Sequence, residues 1–506
     1  MFKKLHGTLS GFLVLFTTVA MAAQQPNIIV ILADDMGMDS VSAFNKSLGF
    51  KTPCIDDLVS EGVAFTEAHS GSAVCTPTRY GLLTGRYSWR SRLKSFIVPR
   101  WDAPLIEEGR ITMASMLKSE GYDTAMVGKW HLGWNWPFKS SDPVPVGKAK
   151  KLEHLAKQGI DWSAPVTGGP NSCGFDYHFG DDVINWPPYA YIENEKVLGT
   201  PDPKQKYAAP DSDWAEDKVL PTITAKAVAY IEKQAKSDAP FFLYFPMTSP
   251  HGPIAPSVDF KGKSGISPYV DFVIETDHSV GQIIDAVDRS GIAENTLIIF
   301  TADNGTSLNF PTEDGTIEKG INFNTHVRGG KADIFEGGHR VPFIVRWPRE
   351  IDAGSRNETP ICLTDIMATV ADVVGVKLPE NAGEDSVSLY PALRDEHFER
   401  DAIINHSIHG KFAIRDGKWK LAFCPGSGGK SSPRDPEAQK QGLPALQLYN
   451  LSEDPLETTN IVNEYPEVVE RLTQQLHEMI SQGRSTPGAP QKNAGNTWLP
   501  EIYPKP

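Results

Sequence analysis

The sequence lacks an excess of positive charge, and this absence narrows the range of partners. Its 49 Lys and Arg residues are outnumbered by 63 Asp and Glu residues, which gives a net charge of −14. Because nucleic-acid binding requires clustered basic side chains, this balance argues against a nucleic-acid partner. The same charge repels anionic polymers at long range, so an anionic substrate needs a local positive site.

Membrane-spanning segments and internal repeats are also missing. The apolar run from Gly11 to Val19 is too short to cross a bilayer, and no other segment reaches about 18 apolar residues. Lys3 and Lys4 precede this run and the small residues Ala20 and Ala22 follow it, as in a secretory leader. We therefore predict a signal peptide over residues 1–23 and a periplasmic or secreted protein without stable membrane insertion.

Cysteine is scarce, with five residues in a chain of 506. If one of them is reserved for chemistry, the other four can pair in more than one way or remain free thiols. The five are Cys54, Cys75, Cys173, Cys362 and Cys424.

The most distinctive stretch runs from Ser72 to Arg86. Pro77 suits the first turn of a helix, which places Cys75 near free N–H groups and a dipole that favours anions. Arg79 follows about one helical turn after Cys75 and can point back at it. Taken alone, the pattern also fits an inert, buried cysteine beside an ordinary helix start.

Strand and helix patterns alternate up to about residue 395. This alternation predicts a doubly wound α/β sheet whose site lies at the carboxyl edge of the strands. The predicted strands cover residues 27–33, 63–68, 122–127, 240–245, 296–301 and 343–347. The predicted helices cover residues 55–61, 112–119, 221–236, 268–290 and 363–374.

Polar residues follow several of these strands. Asp34 and Asp35 come directly after the first strand, and two adjacent carboxylates repel each other unless a cation lies between them. Asp303 and Asn304 add two more hard oxygen ligands after the strand 296–301. The alternative for the Asp34–Asp35 pair is a solvated turn.

Further polar groups occupy other strand ends. Lys129 and His131, flanked by glycines, can aim two cationic or polar groups at one pocket, and His251 ends another strand. Lys331 begins a segment that reaches Pro342. A glycine-rich turn with a structural histidine explains Lys129 and His131 equally well when they are considered without their context.

Two regions depart from the alternating pattern. Residues 134–220 are rich in Pro, Gly, Trp and Asp, and we expect an inserted region that either stacks on sugar rings or packs against the domain. After about residue 395, a hairpin over 412–421, a strand at 448–451 and a helix over 466–481 predict a smaller α+β domain with an antiparallel sheet. The expected units are therefore 1–23, 24–395 and 396–506.

The run Cys75–Arg79 followed by Leu82–Arg86 resembles the signature of the formylglycine-dependent sulfatases, arylsulfatase-like members of the alkaline phosphatase superfamily. The resemblance implies an alkaline-phosphatase-like fold with a large mixed, mostly parallel sheet flanked by helices. It also implies that a formylglycine-generating or sulfatase-maturating enzyme oxidises Cys75 to formylglycine (3-oxoalanine), whose hydrate is the nucleophile. The metal ligands it implies, for calcium or as second choice magnesium, are Asp34, Asp35, Cys75, Asp303 and Asn304.

The resemblance assigns catalytic roles as well. The metal and Arg79 hold the nucleophile, and Asp303 accepts its proton. His251 and Lys331 assist the leaving oxygen, while His131 takes the proton of the remaining hydroxyl so that the aldehyde re-forms. The catalytic residues implied in this way are Cys75, Arg79, Lys129, His131, His251 and Lys331.

The expected activity is that of a sulfuric ester hydrolase acting on a sulfated carbohydrate or an aryl sulfate, with galactose- or N-acetylgalactosamine-type glycans suggested by analogy. The rivals are a phosphodiesterase or phosphonate monoester hydrolase using the same site, and an inactive glycan-binding protein. The complete set of polar residues argues against the inactive protein. Further candidates, each either a substrate contact or a structural residue, are His339, Arg340, His406 and His409.

Overall fold

A ten-stranded mixed sheet forms the centre of the computed structural model, which describes residues 25–495. The predicted signal peptide lies outside the described residues. The strands are β1 (Asn27–Ala33), β2 (Val63–Phe65), β3 (Ala68–His69), β4 (Asp123–Lys129), β5 (Tyr177–Asp181), β6 (Ile192–Glu193), β7 (Lys196–Val197), β8 (Phe241–Pro246), β9 (Thr296–Ala302), β10 (Phe343–Arg346), β11 (Ser355–Asn357), β12 (Ile361–Cys362), β13 (Ile403–His406), β14 (Phe412–Asp416), β15 (Trp419–Ala422) and β16 (Gln447–Asn450).

Helices connect and cover these strands. They are α1 (Pro53–Glu61), α2 (Cys75–Thr84), α3 (Met113–Ser119), α4 (Ala149–Gln158), α5 (Glu216–Gln234), α6 (Pro268–Arg289), α7 (Asn309–Glu313), α8 (Glu336–His339), α9 (Asp365–Val373), α10 (Tyr390–Leu393), α11 (Asp435–Lys440) and α12 (Pro466–Gln482). Thr112 caps α3 by accepting from the backbone N–H of Ser115 at 3.0 Å, as expected for a helix that starts after a threonine.

The large sheet is parallel at its centre and antiparallel towards its edges. Its order is β11-β2-β10-β9-β1-β8-β4-β5-β6-β7, and β9, β1, β8, β4 and β5 run parallel. Residues 28–33 of β1 are fully buried, because helices cover both faces of a parallel sheet. This arrangement confirms the predicted α/β class with a mixed, mostly parallel sheet.

The strand register brings the polar residues at the strand ends together. Ala33 of β1 pairs with Ala302 of β9, so Asp34 and Asp303 leave the sheet side by side. The backbone N–H of Asp303 donates to Ala33 O at 3.0 Å, and that of Asp34 donates to Ser249 O at 2.9 Å. Three neighbouring strands thus deliver their following loops to one edge.

Two predicted elements differ in the structure. The single strand expected over 63–68 is split, because β2 joins the large sheet while β3 pairs with β12. The inserted region 134–220 contributes α4 and the strands β5, β6 and β7, which extend the large sheet. These strands are short, so they carry too little periodicity to be recognised in the sequence.

The C-terminal region forms a separate antiparallel sheet in the order β13-β14-β15-β16, as predicted. The buried residues Leu472 and Leu476 of α12 pack in the same apolar cluster as Ile414 and Leu421 of this sheet. The boundary between residues 395 and 396 stays a prediction.

A buried ionic cluster joins this smaller sheet to the catalytic region. Lys420 on β15 lies 2.9 Å from Glu336 Oε1 and 2.8 Å from Glu457 Oε1, and all three side chains are buried. Glu336 begins α8, five residues after Lys331. The cluster therefore ties the C-terminal sheet to the loop that carries a predicted catalytic lysine.

The structure also shows the state of the cysteines and whether a described helix could cross a bilayer. All five cysteines are described and each is a free thiol. Among residues 25–495, no helix combines the length and apolar character needed to cross a bilayer.

Candidate active site

Cys75 is the first residue of α2, and the whole of this helix is buried. Its Sγ lies 3.8 Å from Asp34 Oδ1 and 3.6 Å from Lys331 Nζ. Burial raises the pKa of the Cys75 thiol to about 12, against the opposing effect of Lys129 and Lys331. An unmodified thiol here stays protonated at neutral pH and is a poor nucleophile, because the thiolate is the reactive form.

The oxygens beside Cys75 include two without a partner in the described part of the chain. Asp35 Oδ2 and Asn304 Oδ1 are buried and accept no hydrogen bond from residues 25–495. Asn304 Nδ2 donates to Asp35 Oδ1 at 2.8 Å, which turns the amide oxygen away from this contact, and Asp35 adopts φ 67°. Buried oxygens without partners are costly, so this pair indicates a place for a cation.

The wider donor set fits the same interpretation. Ligand atoms of Asp34, Asp35, Cys75 and His251 lie within 4.8 Å of one another. Asp303, whose Oδ1 accepts from the backbone N–H of Asp35 at 3.2 Å, borders the group. Carboxylate and amide oxygens are the ligands that calcium and magnesium take in proteins.

Two lysines neutralise the carboxylates. Lys129 Nζ donates to Asp34 Oδ2 at 2.5 Å, and Lys331 Nζ forms an ion pair with Asp35 Oδ1 at 2.5 Å. Burial alone would raise the pKa of Asp34, but nearby cations, Lys129 above all, hold it well below its usual range. For Asp303, burial and then the charge of Asp34 raise the pKa to about 6.

Arg79 connects residues of the site through several hydrogen bonds. Its Nε and Nη2 donate to Asp303 Oδ2 at 3.1 and 2.8 Å, and its Nη1 donates to the Lys129 carbonyl at 3.0 Å. Nη2 also lies 3.4 Å from Asp34 Oδ2. The side chain is fully buried, so α2 holds β1, β4 and β9 together through one guanidinium.

The ring of His131 forms no hydrogen bond with the residues that the structure describes. Both ring nitrogens are buried, and the ring meets Trp186 edge to face at 5.1 Å. Burial and then the charge of Lys129 lower the pKa of His131 well below its usual range, so the ring is neutral and one of its nitrogens carries a lone pair. Its backbone, at φ 54°, is held by Thr76 Oγ1, which donates to the His131 carbonyl at 3.1 Å.

His251 faces the carboxylates from the opposite side. Its neutral ring is oriented by Nδ1, which donates to Gly252 O at 2.5 Å, and Nε2 lies 3.9 Å from Asp35 Oδ2. Burial and then the charge of Lys331 lower the pKa of His251 to about 4. In this tautomer Nε2 carries a lone pair and is an acceptor or a ligand, not a proton donor.

The structure thus brings ten predicted residues into one cluster at the carboxyl edge of the sheet. They are Asp34, Asp35, Cys75, Arg79, Lys129, His131, His251, Asp303, Asn304 and Lys331.

The four further candidates for substrate contacts lie outside this cluster. His339 is buried, with Nδ1 at 3.0 Å from His69 Nδ1 and Nε2 at 3.1 Å from Ile334 O. Arg340 donates through Nε and Nη2 to Thr66 O at 3.0 and 2.8 Å. These contacts use both side chains within the protein.

His406 and His409 differ from each other. His406 is buried, its Nε2 lies 3.3 Å from Ser88 Oγ, and its carbonyl accepts from the backbone N–H of Ala73 at 2.9 Å. His406 therefore helps to hold the loop before Cys75 through its backbone carbonyl. His409 is exposed, and its ring contacts Phe96.

Sequence reasoning missed Asp182, which lies just after β5. It accepts from Trp134 Nε1 at 3.1 Å and from the backbone N–H of His131, and burial raises its pKa to about 6. The available signal was another pair of adjacent carboxylates, Asp181–Asp182, although the strand that precedes it was not recognisable. Asp182 positions the turn that carries His131.

Comparisons with known proteins identify the family of this chain. The family model described as Sulfatase matches residues 26–376. The chain is 31% identical to the N-acetylgalactosamine-6-O-sulfatase of Bacteroides thetaiotaomicron, over 90% of this chain and 93% of that protein. It is also 31% identical to arylsulfatase A of Bos taurus, over 90% of this chain and 87% of that protein.

A solved structure shows the same architecture. A Bacteroides thetaiotaomicron protein described with the metabolism of multiple glycosaminoglycans superposes with a TM-score of 0.78 at 31% identity, covering 90% of this chain and 99% of that one. The family model spans more than half of the chain, and the two relatives exceed 30% identity over most of their length. The chain therefore belongs to the sulfatase family of sulfuric ester hydrolases.

Proposed function

We propose that this protein removes sulfate from a sulfated glycan of the galactose or N-acetylgalactosamine type, with Cys75 converted to formylglycine and a calcium ion in the site. The observation that carries the proposal is the cluster of buried cations and unpartnered oxygens around Cys75. The sugar preference draws on the N-acetylgalactosamine-6-O-sulfatase relative. The leader-like residues 1–23 support a periplasmic or secreted location.

Asp34, Asp35, Asp303 and Asn304 would hold the cation, since two of their oxygens have no other partner. When bound, the ion supplies positive charge that polarises sulfate oxygens. With Asp34 and Asp35 engaged by it, Lys129 and Lys331 become available to bind the sulfate group. The N-terminus of α2 adds N–H groups that favour an anion at the same place.

The aldehyde hydrate at position 75 would supply an oxygen nucleophile and a second hydroxyl. Asp303, which Arg79 holds in place, would accept the proton of the attacking hydroxyl, and Lys331 would give a proton to the leaving alcohol oxygen. His131 is neutral and unpartnered, so it takes the proton of the second hydroxyl and allows sulfate to leave. The overall reaction consumes one water and yields an alcohol and sulfate.

His251 has a different role from the one that the family resemblance implies. Its Nδ1 proton is committed to Gly252 O, and Nε2 points at Asp35. A neutral ring in this tautomer accepts a hydrogen bond from a substrate hydroxyl or contributes to the cation site. The proton for the leaving group then comes from Lys331.

A substrate panel tests the proposal. Protein matured with a formylglycine-generating enzyme is assayed on N-acetylgalactosamine 6-sulfate, N-acetylgalactosamine 4-sulfate, galactose 6-sulfate, an aryl sulfate, an aryl phosphate and an aryl phosphodiester. We expect release of inorganic sulfate, fastest from a 6-sulfated sugar, and loss of turnover in the Cys75→Ala variant. Preference for the phosphodiester would overturn the assignment to sulfate esters, and preference for a different sulfated sugar would overturn only the sugar.

A further inference from the structure

Phe96 combines an exposed aromatic side chain with a strained backbone. The side chain is 51% exposed, and the residue adopts the left-handed conformation at φ 60°. This conformation is sterically unfavourable for a residue that carries a Cβ. Strained residues of this kind cluster at functional sites, and two residues of the site, Asp35 and His131, share the same backbone region.

A chain of backbone hydrogen bonds connects Phe96 to the catalytic loops. The N–H of Phe96 donates to Ile408 O at 2.7 Å, the N–H of Ile408 donates to Ala332 O at 3.0 Å, and the N–H of Ala332 donates to Ala73 O at 2.8 Å. Ala332 follows Lys331 directly. The segment carrying Phe96 is therefore the next layer outward from the loop that holds the lysine.

A second contact limits how far Phe96 can lie from α2, the helix that begins at Cys75. The N–H of Val98 donates to Thr76 Oγ1 at 3.3 Å. Phe96 precedes Val98 by two residues, which span at most about 7 Å of extended chain. Phe96 is therefore close to the first turn of α2, and its ring is exposed to solvent there.

His409 completes an exposed aromatic pair with Phe96. The two ring centroids are 5.2 Å apart, and the ring planes are inclined at 76°, an edge-to-face arrangement that favours both rings in one orientation. The pair offers solvent an apolar face together with the polar ring nitrogens of His409.

Lys430 lies beside the loop that carries Lys331. Lys430 is exposed and forms no ion pair within residues 25–495, and its backbone N–H donates to Asp333 Oδ1 at 2.7 Å. Asp333 is two residues after Lys331. In a protein with a net charge of −14, an unpaired lysine at this position provides local attraction for an anionic chain.

We infer that Phe96 and His409 bind the sugar ring next to the sulfated one in an oligosaccharide substrate, and that Lys430 faces a carboxylate or second sulfate on that neighbouring ring. The inference rests on the proposed function. The C–H face of a pyranose packs against an aromatic ring, whereas a small aryl sulfate ends at the sulfated position. The pair therefore sets preference for chain length and not the chemistry at Cys75.

The test compares kcat/KM on a 6-sulfated chondroitin tetrasaccharide with kcat/KM on 4-nitrophenyl sulfate, and reports their ratio. In Phe96→Gly, which suits the left-handed backbone, we expect the ratio to fall about three- to tenfold through KM, the size of one aromatic contact. Phe96→Trp keeps an aromatic face and should restore most of the ratio. Tyr465→Ala is the matched control, because Tyr465 is 37% exposed and packs on Trp419 at the start of α12.

Lys430→Gln provides an independent arm. It should lower the ratio at low salt and lose its effect as salt is raised, because exposed charges are screened. An unchanged ratio in Phe96→Gly, whether both kcat/KM values stay the same or both fall equally, would overturn the subsite while leaving the sulfatase assignment intact. If the wild type hydrolyses neither substrate, the proposed function fails first, so the two failures are distinguishable.

Discussion

Replacing Lys420 with methionine tests the buried ionic cluster that joins the C-terminal sheet to the loop of Lys331. The ammonium group lies 2.9 Å from Glu336 Oε1 and 2.8 Å from Glu457 Oε1, with no exposed surface. Removing it leaves two buried carboxylates, of which Glu336 keeps a contact to Arg415 at 3.2 Å. Loss of one partner from a buried ion pair costs about 3–5 kcal/mol, and we expect the free energy of unfolding to fall by that amount.

The effect should depend on pH with a defined sign. Burial raises the pKa of Glu457 to about 7 even with Lys420 present. Without the lysine, the folded-state pKa of Glu457 rises further above its unfolded value, so the carboxyl destabilises the fold more as pH increases. The Lys420→Met variant should therefore lose more stability at pH 8 than at pH 5.5.

Urea unfolding followed by tryptophan fluorescence measures both quantities. Lys418→Met is the matched control, because Lys418 lies on the same hairpin but is exposed, and its change should stay within about 0.5 kcal/mol. A loss below about 1 kcal/mol for Lys420→Met at pH 8, or an equal loss in both variants, would refute the reasoning that this cluster anchors the sheet.

Three further predictions concern the active site. Asp182→Asn keeps an acceptor for Trp134 but removes a buried acid whose pKa of about 6 exceeds its unfolded value. Between pH 5 and pH 7.5, the free energy of unfolding of the wild type in urea should therefore fall by about 1–2 kcal/mol more than that of the variant. Parallel pH dependences of the two proteins would contradict this. Calcium at a hundredfold excess over Kd should stabilise chelator-treated wild type by about 2.7 kcal/mol, seen as a higher melting temperature, and should not stabilise Asn304→Ala; equal shifts in both proteins would place the ion elsewhere. His131→Ala should lower kcat about 10²- to 10⁴-fold while leaving the calcium-induced shift unchanged, whereas a loss of that shift would assign His131 to the cation site.

The core of the fold and the catalytic cluster could be predicted because their sequence signals are local. The strands β1 and β9 are continuous apolar runs, and acids follow each of them directly. Parallel strands meet at one edge, so the order of residues along the chain already implies their proximity. In the structure, Ala33 pairs with Ala302, which places the acids that follow them side by side.

Other features depend on contacts that a sequence does not reveal. In the sequence, His339 and Arg340 follow two glycines, a pattern that fits either a surface contact or a buried junction, and only the contacts of β14 and β15 with α8 show that His339 lies in a junction. The strands β6 and β7 have two residues each, too few for any periodicity. Phe96 is a single aromatic residue in a loop, and neither its exposure nor its positive φ leaves a pattern in the sequence.

The oxidation state of Cys75 is the central claim, and it can be measured together with turnover. Co-expression with increasing amounts of a formylglycine-generating enzyme yields preparations in which peptide mass spectrometry gives the fraction of Cys75 converted to the aldehyde. We predict that kcat for sulfate release rises in proportion to this fraction and that protein with an intact thiol has none, since burial keeps that thiol protonated. Full turnover by protein whose Cys75 remains a thiol would contradict the account.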